Sequence, residues 1–160
     1  MKIRFGILED VPAFVEAGRA VHASTDLKRF EYNTARVTET LRGIIQRPEG
    51  SHCFIVAVGD DDSATGWIIG CIERHFFSDH LVASIINYGV LPEKRMSGAG
   101  LKLLTAFRKW GENRGAIELN AGVSSGIDLK KMDRFMLKLG FHLTGGNYSL
   151  MLTNPQAGHA

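Results

Sequence analysis

Nothing in the 160-residue chain has the length of a membrane span: no apolar run approaches the roughly 20 residues a bilayer requires. Cysteine is scarce, with Cys53 and Cys71 in separate apolar stretches and no Cys-x-x-Cys spacing. That gives no disulfide framework to read, and buried free thiols are the expected state in a reducing compartment. A reactive thiol would want exposure and positive neighbours, which neither has. An excess of one charge is missing too. Nineteen Lys and Arg against 17 Asp and Glu leave a formal +2, and the basic residues are scattered, so nucleic-acid binding is not expected as the main task. The six histidines (His22, His52, His75, His80, His142 and His159) show no His-x-x-x-His or Cys–His spacing, so no metal site is expected. Met1 to Phe5 mixes charge into a strand pattern where a secretion signal would need an apolar core. A cytoplasmic protein without nucleic-acid or membrane partners is the expectation.

What is present has the make-up of one ordinary domain, long enough for a real core. Ile3 to Leu8 alternates as a strand. Asp10, with Pro12 behind it, caps a helix whose Phe14, Val15, Ala17, Gly18 and Val21 share a face. Thr34 is the predicted cap of a second helix, which Pro48-Glu49-Gly50 stops. Cys53–Val58, Trp67–Phe77 and Leu81–Leu91 form an antiparallel meander with short turns. A helix over 101–110, a strand over 116–121 and a helix capped by Asp128 follow. A last strand pair, Phe141–Leu143 and Tyr148–Leu152, is expected around Gly145-Gly146-Asn147. Residues 153–160 are expected to form a flexible tail behind a single domain over 1–152.

The most informative stretch is Val90-Leu91-Pro92-Glu93-Lys94-Arg95-Met96-Ser97-Gly98-Ala99-Gly100. It joins an apolar strand to an amphipathic helix. A helix start carries N–H groups without internal partners, at the positive end of the peptide dipoles. Gly98 and Gly100 either let an anion approach that backbone or merely make a tight connection. Two familiar phosphate motifs fail. A Walker loop needs Lys-Ser or Lys-Thr after its last glycine, where Leu101-Lys102 stand, and a dinucleotide fingerprint needs a glycine at Leu103.

Arg95-Met96-Ser97-Gly98-Ala99-Gly100 resembles the Arg/Gln-x-x-Gly-x-Gly/Ala signature of the GCN5-related N-acetyltransferases (GNAT). Val90-Leu91-Pro92-Glu93 resembles that family's run into the loop, and Phe135-Met136-Leu137-Lys138-Leu139-Gly140-Phe141 its helix-to-strand ending. The likeness runs from Ile3 to about Leu152. It extends to short single-domain phage and prophage members through Gly122-Val123-Ser124-Ser125-Gly126. It implies an α/β fold: one central mixed, mostly antiparallel sheet of about seven strands flanked by about four helices. Gly89 signals either a bulge or a close backbone approach, and by the resemblance a bulge there would splay two parallel strands and admit the pantetheine arm of the cofactor.

By that resemblance the protein is an acetyl-CoA-dependent N-acetyltransferase, in which a neutral primary amine attacks the thioester directly. The acceptor is a small molecule or a protein, and a homodimer through the C-terminal strands is in keeping with relatives. Amides from Arg95, Met96, Ser97, Gly98, Ala99, Gly100 and Leu101 would hold the diphosphate. Backbone groups of Val90 and Leu91 would hold the pantetheine, and the Leu91 N–H would polarise the thioester carbonyl. The family's usual acid, a tyrosine of the last helix, aligns with Met136, and a thioether donates no proton. Tyr88 and Tyr148 are the substitutes in view. The glutamate that some members carry as base aligns with Ser84. Glu73 and His75 on the preceding strand are alternatives, as is a water ordered by Ser84 and Asn87. His22, Asp26 and Glu31 fall in the segment that borders the acceptor cleft in relatives. A non-catalytic acyl-CoA-binding or interaction domain on the same scaffold is the competing reading.

Overall fold

Alternation along five strands sorts the apolar side chains onto two faces of one sheet. The computed structural model describes residues 1–123, 125–126 and 128–153. The strands are β1 (Lys2–Phe5), β2 (His52–Val58), β3 (Ala64–Arg74), β4 (Leu81–Val90) and β5 (Ala116–Ala121), in the order β1-β2-β3-β4-β5. The first three junctions are antiparallel and β4/β5 is parallel. Parallel neighbours need a crossover, and α3 (Ala99–Asn113) supplies it. The other helices are α1 (Val11–Ala23), α2 (Thr34–Ile45) and α4 (Leu129–Lys138).

Phe54, Val56, Val58 and Trp67 face α1 and α2, where they bury Val11, Phe14, Val15 and Leu41. Cys53, Ile55, Ala57, Ile68 and Ala83 face the other way, onto Leu103, Leu104, Phe107 and Trp110 of α3. Phe135, Met136 and Leu139 of α4 pack against the same cluster. Phe107 is fully buried, and its ring occupies the place where a side chain at Gly70 would start. The missing Cβ at Gly70 is what lets α3 lie close on β3.

The caps are mostly where the sequence puts them. Asp128 accepts the Lys131 N–H at 3.0 Å. At α2 the cap is Asn33, which accepts the Arg36 N–H at 2.9 Å, and Thr34 is already helical. Asp10 precedes α1 but turns its carboxylate back, onto the Arg4 guanidinium (2.6 and 2.9 Å) and the Ile7 N–H (2.8 Å). Burial pushes this carboxyl upward. The bonds from Arg4 and Ile7 outweigh that and hold it below its ordinary value of 3.8. A depressed pKa stabilises the fold fully above the unfolded value, and that contribution is lost as pH falls through the folded one. Asp10→Asn is therefore expected to cost about 1–3 kcal/mol at neutral pH. It should also flatten the loss of stability below about pH 4. Urea unfolding at pH 7 and at pH 3 measures both.

Among the described residues the sheet has five strands rather than about seven. Residues 141–153 form neither helix nor strand, so the expected pair Phe141–Leu143 and Tyr148–Leu152 is not built. A strand exists only against a partner ladder, and this arm has none here. Of the predicted tail 153–160, residues 154–160 lie outside the described residues.

Candidate functional site

β4 and β5 run side by side from Leu81↔Ala116 to Ile85↔Ala121 and then part. At the same level β4 carries an extra residue: Gly70 faces Ile85, Ile69 faces Asn87, and Ile86 is left unopposed. The bulge is thus at Ile86 and not at Gly89. Gly89 is glycine for a different reason, since the Trp67 ring lies 2.5 Å from where its Cβ would be. One inserted residue inverts the alternation beyond it. Ile85, Tyr88 and Val90 all pack on the α3 side, whereas Asn87 is on the opposite face and accepts the Trp67 indole N–H at 2.6 Å.

The inversion also decides which backbone groups are free. Leu91 donates its N–H to the Thr65 carbonyl at 3.0 Å. In an antiparallel pair, residues that bond across alternate with residues that do not. With Leu91 and Gly89 turned toward β3, the N–H and C=O of Val90 and Tyr88 point into the gap beside β5. The Leu91 amide expected to polarise a carbonyl is occupied by the Thr65 carbonyl, and the amide turned to that edge is that of Val90.

From Pro92 the chain makes one tight 3-10 turn, Pro92–Lys94, before α3. Three of the seven loop amides are spent internally: Arg95 on the Pro92 carbonyl (3.4 Å), Ser97 on the Lys94 carbonyl (3.0 Å) and Ala99 on the Ser97 hydroxyl (3.3 Å). Among the described residues, the N–H groups of Met96, Gly98, Gly100 and Leu101 have no protein partner. Gly98 holds φ +77°, a left-handed conformation, and nothing lies within 4 Å of where its Cβ would be. Gly100 is different: a side chain there would meet the Tyr88 hydroxyl. The first glycine is needed for its conformation and leaves an open concavity. The second is needed for packing. Orphan amides at a helix start, an open face and the exposed cations Lys94 and Arg95 suit a bulky anion such as a diphosphate.

The three side chains expected to act on the reacting atoms are not brought together. Tyr88 is half-buried on the α3 side, where burial pushes its phenol up to about 12. Ser84 is on the opposite face, in one row with Cys71 and Asn120. Glu73 is in the next row with Val82 and Glu118, four residues short of the bulge, or about 13 Å along the strand. Asn120 and the Trp67–Asn87 bond were not singled out by the sequence, because only the pairing register shows which residues share a row. The loop after β5 reaches the segment between α1 and α2: Asp26 donates its N–H to the Ser125 carbonyl at 3.1 Å, and Gly126 (φ +72°) leaves room for the Asp26 carboxylate. Of His22, Asp26 and Glu31, only Asp26 makes this contact. His22 packs against Tyr32 with ring centroids 5.3 Å apart and the planes tilted by 56°. Cys53 is buried and its thiol is pushed up to about 12, as an inert core residue's would be. No group of three metal-ligating side chains occurs among the described residues, and no helix there is long and apolar enough to cross a membrane.

A parallel strand pair thus opens at a bulge beside the start of a helix whose Gly100 and Leu101 amides are free, all within one α/β domain. The model of the acetyltransferase (GNAT) family matches residues 19–141, and the chain belongs to that family. No curated protein sequence matches it. Solved structures share the fold at low identity. An aminoglycoside acetyltransferase from an uncultured soil metagenomic sample, in complex with trehalose, is 20% identical with a TM-score of 0.72, over 95% of this chain and 96% of that one. A transcriptional regulator from Bacillus halodurans C-125 is 17% identical with a TM-score of 0.76, over 94% and 99%. The AAC(6')-Iy structure in complex with the bisubstrate analogue CoA-S-monomethyl-acetylneamine is 19% identical with a TM-score of 0.72, over 95% and 97%.

Proposed function

We propose that the protein, as one domain over residues 1–152, is an acetyl-CoA-dependent N-acetyltransferase acting on a primary amine in the cytoplasm. The observation that carries this reading is the set of unpaired amides at Met96, Gly98, Gly100 and Leu101 around an open left-handed glycine. Those four amides would hold the diphosphate of the coenzyme, with Lys94 and Arg95 adding charge. Val90 and Tyr88 would offer backbone groups to the pantetheine amides as an added strand does. The Val90 N–H would polarise the thioester carbonyl. The bound thioester supplies an activated acetyl group, and holding the amine beside it supplies much of the acceleration.

The amine must shed a proton before it attacks. Ser84 and Asn120 share a row, and Asn87 lies on the same face with its amide fixed by Trp67. Neutral groups of this kind order water, and a water relay suits them better than a side-chain base. On the leaving side, Met136 has no proton to give, and Tyr88, neutral at pH 7, has its hydroxyl against Gly100. The thiolate then takes its proton from water. Met136 is also the observation that favours a second reading, a non-catalytic acyl-CoA binder on the same fold.

One assay separates the readings. Protein and acetyl-CoA are mixed with a panel of amines, including an aminoglycoside, a polyamine and a peptide N-terminus, and free thiol is followed with binding measured in parallel. Binding with thiol release against at least one amine is the expected result. Binding without release against the whole panel favours the binder, and no binding overturns both. Met136→Tyr is expected to raise turnover several-fold, less than the roughly 100-fold or more that a fully placed general acid contributes, because the thiolate can also leave unassisted.

A further inference from the structure

We propose that Asn87 selects the acceptor. Its side-chain amide is locked by Trp67, turns only N–H donors to the open face of the gap, and so favours a primary amine that carries a nearby oxygen, in a hydroxyl, ether or carbonyl group. This deepens the acetyl-transfer reading and rests on it.

Three features converge on that amide. The bulge at Ile86 puts Asn87 on the same face as Trp67. Trp67 pairs opposite Gly89, and with no Cβ there the indole lies against β4 and reaches the residue two places back. Trp67 is itself buried and stands edge-on to Phe14 of α1, with ring centroids 6.4 Å apart, so the core fixes where its N–H points.

The chemistry of the bond then fixes the amide. An indole N–H donates and never accepts, so the Asn87 atom 2.6 Å from it is the carbonyl oxygen. Turning the amide over would set donor against donor. The Nδ2 end therefore points away from Trp67. Asn87 is exposed, and that end has no protein partner among the described residues.

It lies on the side an acceptor can reach. The α3 face of the gap is filled by Ile85, Tyr88 and Val90. The opposite face carries Ser84 and Asn120 with Asn87, and the acids of its strands, Glu73 and Glu118, sit in a row short of the opening. A pair of N–H donors repels an ammonium and holds a lone pair. An oxygen close to the amine supplies that lone pair and leaves Ser84 and Asn120 to the water.

The test uses the full chain and two primary amines of one length, methoxyethylamine and butylamine, which differ by an ether oxygen in place of a methylene. The ratio of their kcat/KM values, compared between proteins, cancels the amines' own basicity. In wild type it is expected to be about 5-fold above that of Asn87→Ala, the worth of one neutral hydrogen bond. Asn87→Asp still accepts from Trp67 but turns a second acceptor to the gap, so its ratio should fall below that of Asn87→Ala. Trp67→Phe keeps a ring beside Gly89 and frees the amide, which should place its ratio between wild type and Asn87→Ala. Coenzyme A affinity should be retained in all three. A merely structural role would slow both amines alike, and an unmoved ratio overturns the proposal. The lock has its own readout: Asn87→Ala should shift the Trp67 indole N–H resonance and leave that of Trp110, the other tryptophan, in place. An unmoved Trp67 signal overturns the proposal as well. If coenzyme A binds and no amine releases thiol, it is the transfer reading that fails. The two amines are then titrated into protein saturated with coenzyme A. A shift of the Asn87 amide resonances with methoxyethylamine alone supports the selection, and any other pattern overturns it.

Discussion

Gly98→Glu is expected to weaken acetyl-CoA binding by about 100-fold, or ~2.7 kcal/mol, while leaving the domain folded. Two effects add. A residue with a Cβ at φ +77° carries a conformational cost of about 1–2 kcal/mol. A carboxylate in the concavity repels the diphosphate that the Met96, Gly100 and Leu101 amides would bind. The space around Gly98 is empty to 4 Å, so no core contact is broken. Gly98→Ala isolates the conformational part and should weaken binding by no more than about 30-fold, which is what 1–2 kcal/mol allows at most. Calorimetric titration with coenzyme A, beside a melting curve for each variant, measures both. Equal affinity for wild type and a folded Gly98→Glu would put the diphosphate elsewhere.

Phe107→Ala is expected to cost about 3–5 kcal/mol of stability. In a chain of this length that corresponds to a fall in Tm of roughly 10 °C. Phe107 is wholly buried between α3 and β3, is stacked with Trp110 at 5.5 Å between centroids, and closes over Gly70. The cavity would sit directly on a glycine, and backbone does not move in to fill it. Gly70→Ala alone should also destabilise, by about 1–3 kcal/mol, through overpacking. Combined with Phe107→Leu it should cost clearly less than the sum, because the smaller ring-less side chain leaves room for the added methyl. Chemical denaturation of the two single variants and the double variant closes the cycle. Additive losses would mean that the two positions do not share space.

The elements were legible wherever a local rule decided them. The continuous apolar run at Cys53–Val58 is a strand because it is buried in the sheet on both sides, and Asp128 caps α4 because its carboxylate reaches an amide three residues on. The loop was legible as a place for an anion. Which of its amides are free was not, because Arg95, Ser97 and Ala99 are consumed by a 3-10 turn whose bonds depend on the exact path of the chain. Gly89 was left with two readings for the same kind of reason. A glycine in a strand signals either an extra residue or a close neighbour. At Gly89 it was the neighbour, Trp67 from another strand, which no local pattern contains. Glu73, Ser84 and Tyr88 looked comparable as candidate acids and bases. One unopposed residue at Ile86 sends Tyr88 to the far side of the sheet, and the rows of β3 put Glu73 well short of the opening. The last two expected strands have a suitable pattern but no ladder here. Sequence gives the propensity to pair, and a ladder also needs a neighbouring strand, which no local pattern contains.

The Tyr88 hydroxyl and Gly100 are fitted to each other across the junction of strand and helix. Their evolutionary freedom is therefore joint. An alanine at this glycine requires the hydroxyl to swing aside, whereas an alanine that arrives after the phenol has become a phenyl group requires no such movement.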